Sequence, residues 1–158
     1  MEQLRDVLLD DGRRSRVVAD TVLLVNAEMA SKRGLRSIPL KAAYKLVTNF
    51  KPGFVRAIVN HMLPEFCDAL QPFYAEWLAK GDAKGSLEDS LKRQEGPASE
   101  ALLGVADRRV EGAQVVGASA IKKAYRGLRG TARRHVGSAL PGLARTVVPY
   151  LREAGVSG

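Results

Sequence analysis

Apolar residues recur along most of the chain at intervals of three and four positions, the spacing of a helix that buries one face. This period is clearest from Arg16 to Met29 and returns from Phe54 to Leu63 and from Glu100 to Val110. Strand signals are scarce, because aromatic residues make up only 6% of the chain and no alternating run of β-branched residues lasts. The pattern predicts an all-α fold of about eight to ten short helices.

Local signals suggest where these helices begin. Proline suits the first turn of a helix, so Pro39, Pro52, Pro64 and Pro141 are interpreted as helix starts. The run SLED, which begins at Ser86, is typical of a capping box with Asp in place of Glu. Glycines between the periodic segments predict turns, and the pair GLRG at 127–130 is a candidate break within its helix.

Two distant segments resemble each other. The segment PLKAAYKL around Tyr44 is echoed 81 positions later by AIKKAYRGL around Tyr125. Downstream, the Leu-Pro step at Pro64 is matched 77 positions later by the Leu-Pro step at Pro141, and a second proline pair keeps that offset. The change from 81 to 77 corresponds to one deletion of about a helical turn near Gly127. Chance similarity between alanine-rich helices is the alternative to a duplication.

We interpret the echo as an internal duplication of about 78 residues. The prediction is one domain, 1–158, whose repeat halves 9–79 and 87–153 are joined by a linker at 80–86. Each half is too small to bury its apolar stripe well, so the halves are expected to pack as a pseudo-twofold pair that shares one core.

The charge is unevenly distributed. The chain carries a net charge of +8, and no Asp or Glu occurs from Met29 to Pro64 or from Gly112 to Leu151. Three interpretations remain open: a solvated surface, a footprint for nucleic-acid phosphates, or a surface for an anionic membrane or acidic protein. The basic windows are 32–56 and 122–134, and the candidate anion-binding residues are Lys41, Lys45, Lys122, Arg126, Arg129 and Arg133.

The sequence contains few residue patterns that are typical of a catalytic site. Cys67 and His61 stand six positions apart, on roughly opposite faces of a helix, so the cysteine is interpreted as a core residue rather than a nucleophile. A metal site of His61, Glu65 and Asp68 would lack a second His or Cys ligand. We therefore assign no catalytic residue, no metal and no cofactor. One cysteine and no apolar run of membrane-spanning length lead us to expect a cytoplasmic protein.

Several motifs together resemble a known group of sequences. The KxAY steps, the KPG step at Lys51 to Gly53 and the two Leu-Pro steps resemble an uncharacterised family of small all-helical actinobacterial proteins. The resemblance runs from about Leu8 to about Tyr150 and implies a single helical domain. The resemblance implies no activity, no cofactor and no site residue.

The function predicted from these observations is a non-enzymatic helical binding or interaction module. The alternative is a nucleic-acid-associated protein that binds phosphates through the two basic windows, and the third hypothesis is a helical bundle that binds a small molecule or lipid. A protein partner, a second copy of the chain, nucleic acid and an anionic membrane surface all remain open as partners.

Overall fold

The computed structural model describes residues 2–31, 37–80 and 85–156, and within those ranges the chain forms seven helices and no strand. The all-α prediction is confirmed. The expected eight to ten short helices are wrong for these ranges, because two of the seven are 27 and 36 residues long. The helices are α1 (Leu4–Leu8), α2 (Arg14–Ala30), α3 (Ile38–Phe50), α4 (Phe54–Lys80), α5 (Leu87–Arg93), α6 (Glu95–Glu111) and α7 (Ala118–Glu153).

The long helices run through prolines that the sequence pattern had placed at helix starts. Pro64 lies inside α4 and Pro141 inside α7, so those two predicted starts are wrong. A proline inside a helix loses one backbone hydrogen bond and costs roughly 3 kcal/mol. At Pro64 the carbonyl deprived of its helical donor is that of Asn60, and Arg14 Nη2 donates to it at 2.9 Å. A residue from α2 thus satisfies the backbone group that the proline leaves open.

Other boundary signals are confirmed. Pro39 lies in the first turn of α3. The side chain of Ser86 caps α5 by accepting a hydrogen bond from the backbone N–H of Asp89 at 3.1 Å. Gly127 does not break its helix, because α7 continues through it without interruption. The four-residue linker core, 81–84, lies outside the described residues.

The hydrophobic core lies between α4 and α7. Both helices bury side chains at the same spacing, four, three and four positions apart. Helices α2 and α6 each pack against both α4 and α7, while α1 packs chiefly on α4 and α5 on α7. The buried rows are Leu63, Cys67, Leu70 and Tyr74 in α4, and Leu140, Ala144, Val147 and Leu151 in α7.

Helix α3 is the exception to this packing. It is strongly amphipathic in sequence, yet none of its 13 residues is buried. Two of its polar side chains contact the protein, since the Tyr44 hydroxyl donates to Asn26 and the Lys41 ammonium donates to the carbonyl of Ser31, whereas Lys45 is exposed. The large apolar residues Ile38, Leu46 and Phe50 are exposed as well, whereas the apolar stripe of an amphipathic surface helix usually faces the core.

Candidate functional site

The outward face of α3 is the most exposed apolar surface on a described helix. Leu46 is 70% exposed and Phe50 is 89% exposed, and Ile38 also lies open to solvent. Leu46 and Phe50 are four positions apart and lie on nearly the same face of the helix, and Ile38 lies about 80° around the axis from Leu46. We call these three residues the α3 apolar face. Single exposed apolar side chains are ordinary, whereas several on one helix face mark a binding surface.

Basic residues surround this face. Lys45 lies beside Leu46 on the exposed side of α3, and Lys51 directly follows Phe50. Arg56 is exposed on the first turns of α4, where it lines an open depression together with Arg14 and Asn60. Neither Lys45, Lys51 nor Arg56 contacts a carboxylate in the part of the chain that the structure describes. The predicted basic residues at 32–36 lie outside the described residues.

The second basic window, 122–134, differs from the first because some of its basic residues are paired with carboxylates. Arg129 donates to Asp107 through both Nε and Nη2, each at 2.9 Å, and also to Glu100 at 2.9 Å. Arg133 donates to Glu100 at 2.9 Å. The hydrogen bonds from Arg129 lower the pKa of Asp107, and those from Arg129 and Arg133 lower the pKa of Glu100. Two of the four candidate anion-binding residues on α7 are therefore already paired with α6.

The other two behave differently from their neighbours. Arg126 is exposed and Lys122 is partly exposed, and among the described residues neither has a carboxylate partner. Of the six candidate anion-binding residues, Lys45, Lys122 and Arg126 keep their charge available. Lys41, Arg129 and Arg133 are engaged within the protein.

The two tyrosines of the echoed motif serve as hydrogen-bond donors to the preceding helix. Tyr125 donates to Asp107 at 2.6 Å, and Tyr44 donates to Asn26; each pair is 18 positions apart. Burial, together with the hydrogen bond to Asp107, raises the pKa of Tyr125 to about 12. A tyrosine held in this way ties two helices together.

A buried polar cluster connects α2, α7 and the residue before α3, and no sequence pattern predicts this connection. His135 on α7 lies with Nδ1 3.2 Å from Glu28 Oε1 and with Nε2 3.0 Å from Ser37 Oγ. A carboxylate only accepts, so Nδ1 carries the hydrogen and, in the neutral ring, Nε2 accepts from the Ser37 hydroxyl. Serine, histidine and carboxylate in this order also occur in hydrolase triads.

Burial argues for a structural role of this cluster. Ser37 is only 3% exposed, so its hydroxyl does not meet a substrate from solvent in this conformation. Buried polar groups are normally satisfied by hydrogen bonds, and this cluster satisfies His135 while it fixes the start of α3 against α2 and α7. No sequence signal marks it, because His135 is 98 and 107 positions from Ser37 and Glu28 and the three belong to no motif.

The sequence-predicted role of Cys67 agrees with its surroundings. The thiol is 2% exposed within α4, and burial raises its pKa to about 12. A thiol in this state is a poor nucleophile at neutral pH, because the thiolate is the reactive form.

The possible metal ligands around His61 are occupied by cations of the protein itself. Arg109 contacts both His61 and Glu65, and Arg5 donates to Asp68 at 3.0 Å. Within the described ranges no group of three His, Cys, Asp or Glu side chains is arranged to hold a metal ion.

The pocket lined by Leu70, Tyr74 and Ala144 is small. It is partly open and has a volume of about 20 Å³, room for about one water molecule. The depression beside Arg56 is larger, about 510 Å³, but it is open to solvent. None of the described helices is long and apolar enough to cross a bilayer.

The chain belongs to the family of unknown function DUF6918, which matches residues 4–151. The resemblance found in the sequence is thereby confirmed as far as the family goes. No curated protein and no solved structure matches the chain.

Proposed function

We propose that the protein is a non-enzymatic binding module and that α3 is the element that makes the contact. The observation that carries the proposal is the orientation of α3, whose large apolar residues Leu46 and Phe50 are exposed to solvent while Tyr44 binds Asn26 of α2. Leaving such side chains exposed forgoes about 1.5 to 3 kcal/mol each compared with burial. A partner that covers them recovers this free energy.

The module is proposed to be a tandem repeat, and equivalent contacts in the two halves support this. The bonds from Tyr44 to Asn26 and from Tyr125 to Asp107 have the same sequence separation and join equivalent helices. Helices α1 and α5 bury residues at the same spacing. The correspondence reaches back to Leu4, slightly beyond the half 9–79 that the sequence suggests. The buried sets are Leu4, Val7 and Leu8 in α1, and Leu87, Ser90 and Leu91 in α5.

The repeat also accounts for the separate existence of α3. In the first half a turn at Lys51 to Gly53 divides α3 from α4, and Gly53 adopts a φ of 82° there. In the second half the four-residue deletion near Gly127 removes the equivalent turn, so that α7 continues as one helix. At the positions equivalent to Leu46 and Phe50, α7 carries Gly127 and Thr131. Only the first half thus has a separate helix with a large apolar face.

Nucleic-acid binding through both windows is less well supported. A phosphate footprint needs basic side chains that can exchange counterions for phosphates, and Arg129 and Arg133 are paired with carboxylates instead. If only Lys122 and Arg126 are available on α7, the helix makes few phosphate contacts. The small-ligand hypothesis is supported still less, since the pocket beside Tyr74 has room for about one water molecule.

Site-specific photo-crosslinking tests the proposed function. Benzoylphenylalanine replaces Phe50 in one variant and Val116 in a control, because Val116 is also fully exposed but lies in the turn between α6 and α7. Irradiation in cells is expected to give discrete adducts at position 50 and none of equal yield at position 116. An absence of adducts at position 50 above the control, with the protein folded, would refute α3 as the contact surface.

A further inference from the structure

The α3 apolar face and the basic residues around it together resemble an amphipathic helix at a bilayer surface. We infer that α3 docks the protein onto the surface of an anionic lipid membrane. In this arrangement Leu46 and Phe50 enter the boundary between headgroups and acyl chains, and Lys45 and Lys51 contact the anionic headgroups. The inference rests on the proposed function, because it names the partner of the same surface.

Charge is the first argument for an anionic occupant. No acidic residue occurs between Met29 and Pro64, so the whole of α3 and the first turns of α4 carry positive charge only. Lys45, Lys51 and Arg56 are exposed without a carboxylate partner among the described residues. Anionic headgroups attract such residues, and a helix with basic residues beside Leu and Phe lies in the interfacial plane of a bilayer.

The size and shape of the face favour a lipid surface over a protein. A stable protein interface buries about 800 Å² on each partner with matched shapes. The α3 apolar face consists of three large apolar side chains on a single helix, Ile38, Leu46 and Phe50. Insertion into a bilayer needs no complementary groove, because its strength follows from apolar area and charge.

Two other occupants fit less well. A second copy of the chain in a twofold dimer would place Lys45 and Lys51 near the same residues of its partner, and like charges repel. A nucleic-acid duplex offers phosphates to the lysines, yet its charged outer surface gives Leu46 and Phe50 no apolar environment.

Co-sedimentation with vesicles tests the inference. The wild-type protein is expected to bind vesicles of phosphatidylcholine with phosphatidylserine and to bind phosphatidylcholine alone at least about tenfold more weakly. The double variant Leu46→Gln, Phe50→Gln is expected to lose about tenfold or more in affinity for the anionic vesicles. Both positions are exposed, so the fold tolerates the change, and circular dichroism checks it.

Charge variants separate the α3 surface from general basicity. Lys45→Ala with Lys51→Ala is expected to weaken vesicle binding by roughly fivefold per lysine. The matched control, Arg108→Ala with Arg152→Ala, removes the same charge from exposed positions outside both basic windows and is expected to change binding less than about twofold. Equal losses in the two variants would overturn the inference.

A Trp probe reports insertion directly. Phe50→Trp is expected to shift its emission to shorter wavelength on anionic vesicles and to be quenched by brominated lipid, whereas Trp77, which is buried in α4, contributes a constant background. A wild-type protein that does not bind anionic vesicles would overturn the membrane inference. If position 50 still crosslinked to a protein or to a second copy, the proposed function would stand without the membrane inference. If no adduct formed, both would be refuted. Duplex binding that depends on the lysines and not on Leu46 or Phe50 would also overturn the inference, in favour of nucleic acid.

Discussion

The pairing of Arg129 with Asp107 yields a quantitative prediction, because it decides whether Arg129 stabilises the fold or is available to bind an anion. The perturbation is Arg129→Gln, combined with Asp107→Asn in a double-mutant cycle. Both bonds from Arg129 are 2.9 Å long, and the pair is bidentate. Hydrogen bonds to charged groups contribute about 1.5 to 3 kcal/mol when well shielded.

Solvent reduces that figure here. The Arg129 and Asp107 side chains are 32% and 34% exposed, and fully exposed ion pairs contribute only about 0.2 to 1 kcal/mol. A coupling energy of about 1 kcal/mol is therefore expected at neutral pH. Urea denaturation of the four proteins of the cycle measures it. The control is Arg126→Gln, one turn earlier on α7, which has no such partner and is expected to change stability by less than about 0.5 kcal/mol.

The coupling should also depend on pH in a defined direction. The hydrogen bond from Arg129 is the largest cause of the lowered pKa of Asp107, whose ordinary value is 3.8. Stability from a carboxylate with a lowered pKa is fully present above the unfolded value and is lost as the pH falls through the lower, folded value. The coupling should therefore be constant from about pH 7 to 5 and decline below about pH 4. A coupling below about 0.3 kcal/mol at pH 7, or one equal to the Arg126 control, would refute the structural assignment.

Two further predictions concern the core and the surface. Native Cys67 should react with a thiol reagent at pH 8 far more slowly than the urea-unfolded chain, because burial raises the pKa of its thiol to about 12 and blocks access; equal rates would contradict the core assignment. Leu140→Ala should destabilise the fold by about 2 to 5 kcal/mol in urea denaturation, whereas Leu46→Ala should cost less than about 1 kcal/mol, since only Leu140 is buried; comparable losses would show that α3 packs on the core after all.

Part of the candidate site was accessible from sequence. The acid-free windows, the basic residues Lys45 and Arg126, and the apolar residues of α3 can all be read from the order of residues. The outward orientation of the α3 apolar face cannot, because amphipathicity shows that a helix has two faces and not which one meets the protein. That choice depends on Tyr44 and Lys41, which bind groups on α2 and in the segment after it.

The order of residues is enough to predict the helical class, the capped start of α5 at Ser86 and the burial of Cys67, because helical period, capping and apolar character are encoded within a few neighbouring residues. Three features depend on how the helices pack: Pro64 lies inside a helix, Arg129 forms an ion pair with Asp107, and His135 joins Ser37 to Glu28. These outcomes depend on partners 22 to 107 positions away. Contacts at such distances form only when the helices have packed, so no local pattern specifies them.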